Sequence, residues 1–230
     1  QRIDWHKSAR SDRVFIRENE WEAANTLWLW SSPDASMTFR SHLAKTTKRD
    51  RAELVSLALG VLAVRAHERV GAIGSPYGPD HSRTNLIRIA EWVLQHEGPS
   101  LPAFTRMPRF SSALLVGDFF DRPSDIASAI TPMAEAGVTG HLVQVVDPAE
   151  ETLPYAGRVE FQEVAGPLKF LSSKTETLRG AFAEKLEAHR AQLRELCQSI
   201  GWTFTIHRTD EPPARLLLML HNLIAGTWVR

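Results

Sequence analysis

The chain has one cysteine, Cys197, among its 230 residues, which excludes an internal disulfide and a multi-cysteine zinc site. A reducing, cytoplasmic setting fits that count. Net charge is also missing. Lys+Arg and Asp+Glu both total 27, so neither the basic surface of a nucleic-acid binder nor an acidic tail is expected. No apolar run approaches the roughly 20 residues that span a bilayer, and no signal-like apolar segment follows the basic start from Gln1 to Arg13. Membrane insertion of this chain is therefore not expected. The common catalytic signatures are absent as well. There is no Gly-x-Ser-x-Gly elbow and no Gly-Lys-Ser/Thr phosphate loop, and Gly71-Ala72-Ile73-Gly74 lacks the third glycine of a dinucleotide loop. None of the nine histidines falls in a His-x-x-x-His or His-Glu-x-x-His arrangement.

What is present is a 43% apolar composition, enough for one well-buried core over residues 1–230. The chain opens at Gln1 in mid-pattern, so residues before it are expected in a longer protein, with 1–25 as an entry segment. Arg13 to Arg17 and Thr26 to Trp30 read as two strands that pair with each other. Apolar residues recur at helical spacing from Lys48 to Arg69, and Val70 to Gly74 reads as a short buried strand. A helix follows from Leu86 to Gln95, with Thr84 or Asn85 as its cap. Ala113 to Asp118 is an apolar run ending on an acid, and a helix follows from Ser124 to Glu135. His141 to Val146 repeats the pattern and ends on Asp147. Val159 to Val164, a long helix from about Thr175 to Ile200, a strand from Trp202 to His207 and a terminal helix over Leu216 to Ile224 complete the chain. This alternation predicts an α/β fold: a doubly wound, mostly parallel sheet with helices on both faces.

In such a sheet ligands bind outside the carboxyl ends of the strands, where strand order reverses. Ser32, Asp34 and Ser36 follow the strand ending at Trp30 and stand two residues apart, so three hard oxygen ligands could face one Mg²⁺-like ion. The same residues are ordinary turn and cap formers. Asp118 ends a second strand, and Thr84 could add a hydroxyl from a third direction. Trp28 and Trp30, on one side of a strand, are expected in the core. The basic start Lys45, Lys48, Arg49 and Arg51 reads as a solvated face. Asp147, Glu150 and Glu151 read as a solvated loop that could rim the site, and Asp4 with Arg10 as an ion pair pinning the entry segment.

Ile3-Asp4-Trp5-His6-Lys7-Ser8-Ala9-Arg10, Phe15-Ile16-Arg17-Glu18, Ser36-Met37, Arg69-Val70-Gly71, Val116-Gly117-Asp118-Phe119 and Val146-Asp147-Pro148-Ala149-Glu150 occur in the order found in one family. On these segments the chain resembles the bacterial domain-of-unknown-function-58 family, whose members resemble von Willebrand factor A domains. The resemblance implies a Rossmann-like doubly wound domain with a metal-ion-dependent adhesion site. In that site an Asp-x-Ser-x-Ser motif, a Thr and a distant Asp hold Mg²⁺, and the partner supplies an acidic ligand. Carried over with Ser36-Met37 as register, the set is Ser32, Asp34, Ser36, Thr84 and Asp118, with the first motif permuted to Ser-x-Asp-x-Ser. A second register, Asp34-x-Ser36-x-Thr38, stays open. Mg²⁺ or Mn²⁺ binding and its absence are both compatible with the permuted motif. The resemblance further implies a non-enzymatic protein-interaction module working beside a MoxR-type AAA+ ATPase in chaperone-like assembly. The alternative from another class is a metal-assisted hydrolase or phosphatase-like enzyme using Asp34, which requires a second acid and a Lys or His in the same pocket.

Overall fold

Leu27, Trp28, Leu29 and Trp30 are all buried, as a strand must be when both of its faces are covered. Successive side chains point to opposite sides. Leu27 and Leu29 enter one apolar cluster, and Trp28 and Trp30 enter the other. The computed structural model describes residues 25–155 and 178–228, with the short pieces 2–3, 16–17, 157, 159–162 and 169–172.

The strands are β1 Arg2–Ile3, β2 Ile16–Arg17, β3 Thr26–Ser31, β4 Arg69–Ala72, β5 Ser112–Gly117, β6 Thr139–Val146, β7 Val159–Gln162, β8 Lys169–Ser172 and β9 Thr203–Arg208. The helices, in chain order, are α1 Lys48–Arg65, α2 Arg83–Gln95, α3 Pro123–Glu135, α4 Pro148–Thr152, α5 Arg179–Ser199 and α6 Pro213–Trp228. A 3-10 turn spans Ala35–Thr38. The main sheet has five strands in the order β4-β3-β5-β6-β9, all parallel. Helices α1, α2 and α6 bury their apolar stripes on one face, while α3 and α5 cover the other. This is the doubly wound α/β architecture expected from the sequence.

Two expectations change. Ile16 and Arg17, the described part of the Arg13 to Arg17 run, do not pair with β3: they pair antiparallel with Ile3 and Arg2 in a separate two-stranded ribbon. β3 is already flanked by β4 and β5, so neither of its edges is free. The second change concerns the route from β4 to α2. After β4 the chain doubles back along the sheet edge, where Asp80 bridges antiparallel to Val70. Asn85 Nδ2 then donates to the carbonyl oxygen of Val70, and α2 begins near the amino end of the sheet.

One close approach fixes the edge strand. A Cβ on Gly140 would lie 2.0 Å from the Trp202 ring, so only glycine lets the indole lie against β6. Trp202 Nε1 donates 2.9 Å to the carbonyl oxygen of Val138. The Asp4–Arg10 pair, Trp5 and Trp21 lie outside the described residues.

Candidate functional site

Of the five strands in the main sheet β3 comes first in the chain, and β4 lies on one side of it and β5 on the other. The order therefore reverses between the carboxyl ends of β3 and β5, where a doubly wound sheet leaves its crevice. Ser32 closes this edge: its amide donates 2.8 Å to the Val116 carbonyl oxygen, and its buried hydroxyl donates 3.4 Å to the Ser100 carbonyl oxygen. Gly117 lies close opposite: a Cβ there would stand 3.1 Å from Ser32 Cβ, tighter than an ordinary contact.

Asp34 is an N-cap, its Oδ1 accepting from the Ser36 amide at 2.8 Å, which turns the chain so that Ser36 Oγ donates 2.7 Å to Asp118 Oδ2. The structure thus brings Ser32, Asp34, Ser36 and Asp118 to one place. Thr84 does not join them. It is exposed on the first turn of α2, at the opposite end of the sheet, because of the chain reversal at Asp80. Thr38, from the other register, turns its hydroxyl to the Ala35 carbonyl oxygen at 2.7 Å.

The centre of the site is a residue that the sequence reading placed on a solvated face. Lys48, 1% exposed, extends its Nζ 2.9 Å from Asp118 Oδ2 and 2.6 Å from Glu150 Oε1. The rings of Phe39 and Phe120 flank it, with centroids 5.9 and 5.3 Å from Nζ. An ammonium thus stands at the centre of the candidate ligand set, where Mg²⁺ binding and its absence were both compatible with the permuted motif. Asp118 Oδ2 already takes two donors and Asp34 Oδ1 takes an amide, so an Mg²⁺ here would have to displace Lys48. That donor set does not fit a divalent cation in this arrangement. Among the described residues, no group of three or more His, Cys, Asp or Glu is arranged to hold a metal ion.

The rest of the shell fixes the acids. Glu150 Oε2 accepts from the Asp147 amide at 2.9 Å, and Asp147 Oδ1 and Oδ2 accept from the amides of Ala149 and Ser41 at 2.8 and 2.9 Å. Asp147 is fully buried, so the expected solvated loop is a capping box instead. Burial pushes the Glu150 carboxyl above its usual range, against the opposing pull of Lys48. Behind Asp118, Gln144 Nε2 donates 2.9 Å to its carbonyl oxygen, and Arg190 Nε donates 2.9 Å to Gln144 Oε1. Arg190 also pairs with Glu151 at 2.5 Å. Phe119 adopts φ 48°, in the left-handed region, and its carbonyl oxygen lies 2.7 Å from His189 Nε2. Arg49 Nη2 donates to the carbonyl oxygens of Pro33 and Asp34 at 2.6 and 3.2 Å, and Arg51, also buried, bonds the Thr209 carbonyl oxygen at 3.0 Å and His207 Nε2 at 2.9 Å.

Lys48 and Glu150 are the residues that the motif search missed. One signal was available: Lys48 is the first residue of α1, after the Thr47 cap, and a cation at a helix N-terminus opposes the helix dipole. Such a lysine calls for a nearby anion.

No helix among the described residues is long and apolar enough to cross a membrane. Uncharacterized proteins of Mycobacterium tuberculosis and Mycobacterium bovis are each 25% identical to this chain over 227 residues, covering 91% of it and 70% of their own length. The crystal structure of the conserved hypothetical protein BatB from Bacteroides thetaiotaomicron superposes with a TM-score of 0.53 at 12% identity, covering 90% of this chain and 100% of that one. It shares the fold. Residues 1–192 match a family described as protein of unknown function DUF58, and the chain belongs to the DUF58 family.

Proposed function

We propose that this chain is a non-enzymatic, von Willebrand factor A-like protein-interaction module that docks a partner at the carboxyl ends of its strands, with the Lys48 ammonium in the role that a divalent ion has in a metal-dependent adhesion site. The carrying observation is the Lys48 bridge between Asp118 and Glu150 at the point where strand order reverses. The bridge holds three segments in fixed positions: the start of α1, the end of β5 and the start of α4. Phe120, 42% exposed beside the bridge, gives the partner an aromatic anchor of the kind that dominates interface energetics. No chemistry is called for. The hydrolase alternative asks for a second acid and a Lys or His in the pocket of Asp34; Asp118 and Lys48 are both there, but Lys48 is buried between two carboxylates and Asp34 Oδ1 caps the Ser36 amide, which leaves neither placed to act on a substrate. Following the family resemblance, the partner is a MoxR-type AAA+ ATPase or its client, in chaperone-like assembly.

Calorimetric titration with Mg²⁺ and Mn²⁺, combined with capture of a purified MoxR-type ATPase with and without EDTA, tests this reading. The expected result is no cation binding, capture insensitive to EDTA, and at least tenfold weaker capture by Phe120→Ser. Cation binding that Asp118→Ala abolishes, with EDTA-sensitive capture, would restore the metal-dependent form. Turnover of a phosphoester panel that depends on Asp34 would overturn the non-enzymatic reading.

A further inference from the structure

Helix α1 buries Val55, Leu59 and Ala63, yet its outer side is apolar too: Leu54 is 49% and Val61 44% exposed. A helix apolar all round is normally covered on every side. Beside it α2 exposes Ile87 at 50% and Leu94 at 55%. The two helices run antiparallel and close together at Gly60, where an added Cβ would meet Leu86 Cδ1 at 3.0 Å. Between them lies a groove of about 670 Å³ lined by Leu57, Val61, Val64, Leu86, Ile87 and Ala90, with Arg65 and Arg83 at one end.

The ends of the groove carry opposite charge. Arg65 closes α1 and Arg83 opens α2, and neither forms an ion pair with a described residue. At the other end Glu91 lies one turn beyond Ile87 on α2. The middle is free of charge. A flat membrane surface would not fill a cleft between two helices, and a second copy of this face would set cleft against cleft, whereas a single helix fills it.

The geometry points to an amphipathic helix of a partner protein as the occupant, laid along the groove with apolar residues at i, i+3, i+4 and i+7. That helix carries acidic residues at the end meeting Arg65 and Arg83, and basic residues at the end meeting Glu91. This surface is separate from the strand-end site, so its test does not depend on that reading.

The probes are two fluorescein-labelled, stapled 18-residue helices with the same leucine stripe and the same Glu and Lys content. One segregates Glu and Lys to opposite ends, and the other alternates them. Anisotropy should show the segregated helix binding at least tenfold more tightly. Arg65→Glu with Arg83→Glu should remove that preference, and Val61→Asp should weaken both probes at least tenfold, with unchanged circular dichroism showing that the exposed substitutions leave the fold intact. Equal affinity for the two helices, no binding of either, or binding indifferent to Val61→Asp would overturn the proposal. Retention on phosphatidylglycerol vesicles that Val61→Asp abolishes, without helix binding, would assign the face to a membrane. A concentration-dependent dimer lost in Val61→Asp, again without helix binding, would assign it to a second copy.

Discussion

The two ends of α1 invert the usual arrangement of a surface helix. Its first turn buries cations: Lys48 is 1% and Arg51 9% exposed, while three turns later Val61 and Leu62 stand in the open. Buried charge is tolerable at the first end because every charge has a partner, Lys48 with two carboxylates and Arg51 with a carbonyl oxygen and an imidazole. Exposed apolar surface at the second end has no such internal compensation, and so it reads as a face awaiting a partner. One helix can therefore serve two surfaces, one built by electrostatics and the other by apolar contact.

The comparison breaks most sharply at Lys48. Lys48→Met leaves Asp118 and Glu150 buried without their cation and should cost about 3–5 kcal/mol of stability in a denaturant titration. Adding Asp118→Asn and Glu150→Gln should recover most of that loss; a triple variant as unstable as the single one would show that the packing of the lysine stem matters more than its charge. A smaller effect is expected at Ser36. Ser36→Ala removes one hydrogen bond to Asp118 and should cost roughly 1 kcal/mol, again by denaturant midpoint. At the apolar end, Val61→Gln should change stability by no more than about 0.5 kcal/mol; a loss several times larger would mean that Val61 belongs to the core.

The last test is a pH profile. Burial raises Glu53 from the usual range to about 7, so its contribution to stability is full below pH 4.5 and is lost as pH rises through 7. Glu53→Gln should therefore gain in melting temperature relative to wild type as pH rises from 4.5 to 7, and a flat or falling difference would refute the assignment. His141 and His207 act with the opposite sign. Burial lowers both to about 4, so their contribution is present above pH 6.5 and fades on acidification. This background is common to both chains and cancels in the difference.

Much of the fold could be read from the chain because periodicity reports burial. Leu27 to Trp30 and Ala113 to Val116 are continuous apolar runs, and Leu142 to Val146 is broken only by Gln144, as strands covered on both faces must be, and the helices between them carry their own stripes. The strand-end crevice followed from that order, and with it the meeting of Ser32, Asp34, Ser36 and Asp118. Lys48 did not follow. A lysine inside a basic cluster has the local pattern of a solvated face, and its partners are 70 and 102 positions away. Thr84 was placed by assuming a direct loop from β4 into α2, whereas the reversal at Asp80 depends on a single bridge to Val70, which has no periodic signature. The pairing of the Arg13 to Arg17 run failed for a related reason, since neighbours in sequence need not be neighbours in a sheet.

The Lys48 bridge also acts as an evolutionary ratchet. On the proposed adhesion-site reading, a divalent-ion site here would require the loss of Lys48 and a carboxylate at position 32. If Lys48 goes first, two acids are left uncompensated; if the acid comes first, a further negative group faces the Ser100 carbonyl oxygen beside Ser32. On that reading the two positions should change together. Among relatives, a lysine at the head of this helix should go with a non-acidic residue at position 32, and an aspartate there with a helix that begins without the lysine.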